Sequence, residues 1–338
     1  FLDILGVGRT LLQQTFDRFS KICMVENILV VTLEPYVGLV AKQIPELPTD
    51  NILAEPIRRN TAPCIAYACF KIRSLNPNAN IVVSPSDHYI GDEFGFEMTI
   101  TRGLQFPQFS KSLLTIGIIP TRPETGYGYI QIDSRSDQSP LAIHEVTKAK
   151  LFTEKPELDM AKPFIQSREF FWNSGILMWN VNSFIDIARE CLPEMVAQFD
   201  TIFNTMHNRD ARRNLLYSVY EAFPRISTDY GILEKTDKVF MATGDFSFND
   251  IESWDLLYDY CAKDGNGNVL GIKNCQVYNS NNSMLLCQNE KKLVVIDDLS
   301  DFLVVDTDDV LVICRRDNET DFKKYINDAM LKYGEKYT

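Results

Sequence analysis

The stretch NIVVSPSDHYI, residues 80–90, decides how the rest of the chain is read. Ile81, Val82 and Val83 form an unbroken apolar run, the pattern of a strand covered on both faces in a parallel sheet. Pro85 cannot donate a ladder hydrogen bond, so the strand stops before it. Asp87 then stands beyond the carboxyl end of that strand, where open α/β sheets bind ligands and metals. A turn cap is the other use of an aspartate there, and the stretch alone supports both.

Outward from this strand the same alternation repeats. NILVVTL (27–33), NILAEP (51–56) and LLTIGII (113–119) read as strands, and PYVGLVAKQI (35–44), APCIAYACFKIRSL (62–75) and FGFEMTITRGL (94–104) as helices. Before them, Thr10 and Gln13 stand at capping-box spacing, and Leu12, Phe16, Phe19 and Ile22 recur at helical intervals. The GVG of residues 6–8 lacks the third glycine and the preceding strand of a dinucleotide fingerprint, so it reads as a loop. Repeated βα units predict an α/β, Rossmann-like fold, doubly wound on a mainly parallel central sheet. Beyond TGYGYIQI (125–132) the strands carry longer insertions, and two long helices are expected over 181–203 and 210–223. The first domain is placed at 1–262.

After AKDGNGN (262–268), a Gly/Asn-rich hinge, the second domain is placed at 263–338. Its short apolar strands are separated by Asn, Asp and Ser turns. Leu299, Val305 and Leu311 recur six residues apart, as do Val304 and Val310, which predicts a parallel β-helix with inward apolar rungs. A β-sandwich also accommodates the strands. Phe322, Ile326 and Met330 share a helical face, predicting a terminal helix docked on that β unit.

With 338 residues, 45% hydrophobic and 24% charged, the chain has a globular composition and length enough for two domains. A formal net charge of −12 excludes a general basic face for nucleic acid or anionic membrane. The eight cysteines contain no C-x-x-C pair and the three histidines are scattered, so neither a zinc site nor a disulfide framework is indicated. Unpaired thiols, with no apolar run of membrane-spanning length and no signal-peptide pattern, predict a cytoplasmic protein.

Polar clusters interrupt the scaffold at strand ends. AEPIRRNTAP (54–63) puts Glu55, Arg58, Asn60 and Thr61 between a strand and a helix N-terminus able to receive an anion or a nucleoside edge. Asn60 or Thr61 can equally cap that helix. ETGYGYI (124–130) sets two glycines around Tyr127, allowing close backbone approach by a ligand, or a tight hairpin. LFTEKP (151–156) ends a strand with Glu154 and Lys155, either a sugar-hydroxyl acceptor and phosphate cation or a surface ion pair. FFWNSGILMW (170–179) buries Asn173 and Ser174 among apolar side chains, where an unsatisfied polar group costs about 1–3 kcal/mol, while Trp172 and Trp179 read as core. FSFNDIESW (246–254) adds Asp250, and with Asp87 it could hold one Mg2+, whose remaining positions take water and phosphate oxygens.

In order, EPIRRNTAP, PSDH, TGYGYI, FTEKP, WNSGI, STDYGILEK, FND and SW resemble the sugar-1-phosphate nucleotidyltransferases over essentially the whole chain, and within them the members acting on mannose 1-phosphate with GTP. The resemblance implies a nucleotidyltransferase domain followed by a short left-handed β-helix. It implies transfer of GMP from GTP to α-D-mannose 1-phosphate, giving GDP-mannose and pyrophosphate with Mg2+ as cofactor. By the same resemblance Asp87 and Asp250 bind the metal, and Lys155 contacts the sugar phosphate. Glu154, Asn173, Tyr127 and Gly128 form the sugar pocket with Asp229 in support. Glu55, Arg58, Asn60 and Thr61 lie near the nucleotide. His88 reads as a structural turn residue, and a homodimer is expected. The family's first strand and glycine-rich loop would precede FLDILG, so that loop is expected to be missing from 1–338. Another sugar 1-phosphate or nucleotide, or a non-catalytic nucleotide-sugar-binding regulator, are the competing readings; a nicotinamide enzyme rests on GVG alone.

Overall fold

The computed structural model describes residues 1, 3–133, 146–205, 209–251, 253–289, 291–317 and 319–334. They form two compact units. One comprises Thr15–Ser86 with Ile90–Phe248; the other comprises Phe1–Gln14, Asp87–Tyr89 and Asn249–Thr338. The strands are β1 (Val30–Leu33), β2 (Ile52–Glu55), β3 (Asn80–Val83), β4 (His88–Ile90), β5 (Leu113–Ile118), β6 (Tyr129–Ile132), β7 (Val146–Thr153), β8 (Phe170–Asn180), β9 (Val239–Gly244) and β10 (Phe248–Asp250). They are followed by β11 (Val269–Gly271), β12 (Cys275–Tyr278), β13 (Met284–Cys287), β14 (Val294–Asp297), β15 (Phe302–Asp306) and β16 (Leu311–Arg315). The helices are α1 (Leu11–Ser20), α2 (Val37–Gln43), α3 (Thr61–Leu75), α4 (Glu93–Gly103), α5 (Leu158–Ser167), α6 (Val181–Cys191), α7 (Pro193–Thr205), α8 (Arg209–Ala222), α9 (Trp254–Tyr260) and α10 (Glu319–Tyr333).

The larger unit is built on a six-stranded sheet of order β3-β8-β5-β9-β7-β6, with β6 also pairing β8. The expectation of a mainly parallel sheet is corrected here: β5 and β9 are parallel, and the other pairings of this sheet are antiparallel. A separate parallel pair joins β1 to β2. An apolar run reports burial on both faces, which helices supply here whatever the strand direction. Strand alternation sorts the side chains accordingly. Leu177 and Trp179 of β8 join Ile65, Phe70, Phe184 and Phe199 on one face, while Ile176 and Met178 join Phe96, Ile100 and Phe106 on the other. Each such side chain fully buried is worth roughly 1.5–3 kcal/mol.

Local signals held at several helix ends. Thr10 Oγ1 accepts from Gln13 N–H at 3.2 Å while Gln13 Oε1 accepts from Thr10 N–H at 3.0 Å, closing the capping box before α1. The helix expected over 181–203 is two helices, α6 and α7, because Pro193 has no N–H to continue the first and suits the start of the second. α5 forms although Pro163 lies within it.

In the smaller unit, β11, β13 and β15 stack in parallel register, Val269 beside Met284 and Met284 beside Leu303, and β12 stacks on β14. Stacked positions are 15 residues apart from β11 to β13, and 19 apart from β13 to β15 and from β12 to β14, so the six-residue spacing read in the sequence is not the stacking interval. Leu285, Ile296 and Val304 are buried together, whereas Leu311 is 59% exposed because β16 turns back antiparallel on β15. Of the terminal helix, Phe322 packs near Trp254, while Ile326 and Met330 are 48% and 42% exposed. The docked face is thus confined to the helix's first turns.

Candidate active site

The cleft of the larger unit is lined by Gly128, Glu154, Asn173, Asp229 and Glu234 over Tyr129. A bulge in β8 aims Asn173 into it. Thr115 of β5 pairs Leu177, but Gly117 pairs Asn173, leaving extra β8 residues that include Gly175 at φ 68°. Ser174, 1% exposed, is satisfied within the bulge: its hydroxyl donates to Ile116 O at 2.7 Å and accepts from Ile176 N–H at 3.2 Å. Asn173 N–H donates to Gly128 O at 2.7 Å, and its Nδ2 donates to Asp229 Oδ1 at 2.8 Å. Its Oδ1 accepts from Gly175 N–H at 3.2 Å. The amide is fixed by groups from three segments. Gly128 lies close against the cleft acid: a Cβ there would lie 2.7 Å from Glu154 Oε2, so any larger residue would displace that carboxylate.

Asp229 opens a π-helical turn, Asp229–Leu233, in which Glu234 N–H donates to Asp229 O at 2.9 Å. Such turns occur frequently at functional sites. This one brings Glu234, the residue that follows it in STDYGILEK, to the cleft beside Asp229. Burial raises the Asp229 carboxyl above its usual range, opposed by its own backbone N–H and by Asn173. Partial desolvation and the neighbouring Asp229 raise Glu234. Tyr230 is raised by desolvation and by the negative charges of Glu154, Glu234 and Asp229. Acids rich in acceptor oxygens, together with a fixed amide, suit a polyhydroxylated ligand. Lys155, the exposed cation beside Glu154, holds a left-handed backbone at φ 44°. Tyr127 is buried at 5% exposure, edge-on to Trp172 at 5.0 Å, so of that glycine-flanked motif Gly128 reaches the cleft and the Tyr127 ring lies in the core.

Glu55, the last residue of β2, is 8% exposed, and its Oε1 has no hydrogen-bond partner among the described residues. Burial pushes its carboxyl up to about 7, against the opposing pull of the Tyr220 hydroxyl, the Cys64 thiol and Arg58. Burial, with Glu55 alongside, drives the Cys64 thiol far up in turn. Arg58 is exposed. Asn60 takes φ 69° and accepts from Thr61 N–H at 2.8 Å at the start of α3, while Thr61 Oγ1 accepts from Thr228 N–H at 2.9 Å. Arg59 donates through Nε to Tyr220 O at 2.7 Å. Asn60 and Thr61 therefore have structural work at the helix start, whatever else they contact.

In the smaller unit, Asp87 is exposed immediately before β4, and Asp250 ends β10, its partner strand. His88 Nε2 lies 3.9 Å from Asp250 Oδ2, and Gly91 N–H donates to Ser247 O. These two contacts run in opposite senses along the chain, so the ribbon is antiparallel and brings both acids to one end. Among the described residues no group of three or more His, Cys, Asp or Glu side chains assembles for a metal. Two carboxylates nonetheless fit Mg2+, which commonly binds one or two with phosphate oxygens and water. The eight cysteines are free thiols, and no helix of the described residues is long and apolar enough to cross a membrane.

Residues 3–218 match the family model described as Nucleotidyl transferase. The chain belongs to that family. A curated relative from Escherichia coli, named mannose-1-phosphate guanylyltransferase, is 32% identical over 325 residues, covering 94% of this chain and 68% of the relative. The alginate biosynthesis protein AlgA of Pseudomonas aeruginosa is 30% identical, covering 97% and 66% respectively. A crystal structure described as mannose-1-phosphate geranyltransferase from Thermus thermophilus matches with TM-score 0.79 at 23% identity, covering 95% of this chain and 89% of that one, which shows the α/β nucleotidyltransferase fold.

Proposed function

We infer that the chain transfers GMP from GTP to α-D-mannose 1-phosphate, releasing pyrophosphate and forming GDP-mannose. The observation that carries this is the fixed Gly128–Asn173–Asp229 cleft with Glu154 beside it, in a chain alignable over 94% of its length with a protein named for that activity. Glu154 and Asn173 orient mannose hydroxyls, with Asp229 holding the Asn173 amide. Lys155 meets the sugar phosphate, whose oxygen attacks the α-phosphorus of GTP in line as pyrophosphate leaves. Such a transfer needs positioning and charge neutralisation and no covalent enzyme intermediate. Asp87 and Asp250 would hold Mg2+, which when bound neutralises phosphate charge. Glu55, Arg58, Asn60 and Thr61 form the nucleotide side. The stacked strands of the smaller unit are read as a short left-handed β-helix, the working form as a homodimer, and the compartment as the cytoplasm.

The test is pyrophosphate release with Mg2+ and mannose 1-phosphate, run with GTP beside ATP, UTP and CTP. Release confined to GTP supports the assignment; release with another nucleotide or sugar phosphate moves it within the family. Binding of GDP-mannose without release under any condition favours a regulatory protein.

A further inference from the structure

The edge of β16 carries a self-complementary pattern. Among the described residues β16 ends its sheet, pairing β15 on one side. Thr307 N–H donates to Val310 O at 2.9 Å and Arg316 N–H to Asp301 O at 2.9 Å, which fixes the phase of that antiparallel ladder. Val310, Val312, Cys314 and Arg316 therefore turn their backbone groups toward β15. Leu311, Ile313 and Arg315 turn theirs toward the outer edge. The side chains on the open face are Leu311 at 59% exposure and Ile313 at 55%, flanked by exposed Asp309 and Arg315. An unpaired edge strand with apolar outward residues is a template for strand addition.

We propose that two copies of this chain pair β16 to β16 about a two-fold axis through Val312. In this register Leu311 of each copy faces Ile313 of the other, and Asp309 faces Arg315 at both ends. The outward-turned backbone groups are then matched, giving about four strand-to-strand hydrogen bonds at the centre. The two neighbouring two-fold registers also match the backbone, but centring on Ile313 sets Asp309 against Asp317 and Leu311 against Arg315, and centring on Leu311 sets Asp309 against Ile313 and Arg315 against Thr307. Charge thus selects the Val312 register. The present partners of the two charged residues are weak and exposed: Asp309 Oδ1 accepts from Thr307 Oγ1 at 3.0 Å, and Arg315 Nε lies 3.3 Å from Asp317 Oδ1. Such a contact is isologous, as two-fold dimers require. This deepens the homodimer reading by placing the interface.

Sedimentation equilibrium of the full chain tests it with four proteins: wild type, Ile313→Lys, Asp309→Arg, and Asp309→Arg with Arg315→Asp. Wild type is expected to dimerise, and Ile313→Lys to weaken the dimer at least about tenfold, since a lysine on an edge blocks strand addition. Asp309→Arg weakens it by placing like charges at both ends, and the double exchange restores it. Melting curves identify any variant that fails to fold, and the charge exchange then decides. A dimer unaffected by all three variants keeps the homodimer but overturns this edge. A wild-type monomer up to about 100 µM, a concentration that detects all but the weakest pairs, overturns both.

Discussion

Two regions bury polar groups, and they treat them differently. In the stacked strands, Asn268 is fully buried, donates from Nδ2 to Ser280 O at 2.9 Å and Asp264 Oδ2 at 3.2 Å, and accepts from Ser283 N–H at 3.0 Å. The Ser283 hydroxyl donates toward Leu299 O at 3.0 Å and accepts from Phe302 N–H at 3.1 Å. The turns there absorb left-handed backbone at Asn279, Asn282, Asp298 and Asp301. In the nucleotidyltransferase unit, by contrast, Glu55 is buried with Oε1 unpartnered among the described residues, and Asp229 is raised by burial. A satisfied network supports a scaffold, whereas an acid left short of partners is poised for a ligand.

The comparison breaks most sharply at Asp87 and Asp250, the acids proposed to hold Mg2+. Asp87→Asn or Asp250→Asn is expected to lower turnover about 100-fold or more, because charge neutralisation at the phosphates is lost. Asp87 is exposed, so its melting temperature should stay near wild type. Pyrophosphate release over a Mg2+ titration, read beside a melting curve, checks both; an unchanged rate removes that residue from the metal site. In the scaffold the opposite split is expected. Asn268→Ala leaves the Ser283 N–H and Ser280 carbonyl unsatisfied, which should cost on the order of 3 kcal/mol in urea unfolding while KM stays unchanged.

Glu55→Gln sharpens the contrast through pH. At pH below about 4.5 the carboxyl is protonated in both folded and unfolded chains, and the substitution is neutral. As pH rises toward 7 the unfolded chain ionises while burial keeps the folded carboxyl protonated, so wild type loses stability through that window and stays lower above it. The variant should then be more stable above pH 7 by roughly 2–3 kcal/mol. Denaturant midpoints at pH 5 and 8 measure this; a difference independent of pH would mean that Glu55 keeps its ordinary pKa.

The alternation of strands and helices was legible because apolar period and capping residues are local, as Thr10 and Gln13 show. Strand direction was not. NIVV has the same apolar run whether it pairs in parallel or, as found, antiparallel to β8. The break at Pro193 was written in the sequence and outweighed by the amphipathic pattern on both sides of it. At the site, WNSGI announced a polar pair, of which Ser174 is buried and Asn173 only half-buried at the cleft, and Gly175 was the signal of the bulge that aims Asn173. Glu234 was invisible because its approach to Asp229 depends on a π-helical turn that ordinary helical spacing does not anticipate. Tyr127 is buried edge-on to Trp172, a placement not legible locally because the spacing of two glycines does not say which side of the strand the ring between them will take.

The smallest effect is expected at Lys155, where backbone and charge can be separated. A non-glycine residue at φ 44° costs about 1 kcal/mol, a strain glycine does not carry. Lys155→Ala removes the ammonium and keeps the strain; Lys155→Gly removes both. Each should raise KM for mannose 1-phosphate about tenfold and leave that for GTP nearly unchanged, consistent with one lost phosphate contact. The glycine variant should melt no lower than the alanine one. If glycine restores the KM that alanine loses, then the left-handed turn at the end of β7 matters for aiming Glu154, and Lys155 contributes its conformation and not its charge. If both variants lose the same affinity, the ammonium itself meets the phosphate, and the acid-rich cleft gains its cation from the residue beside its own acid.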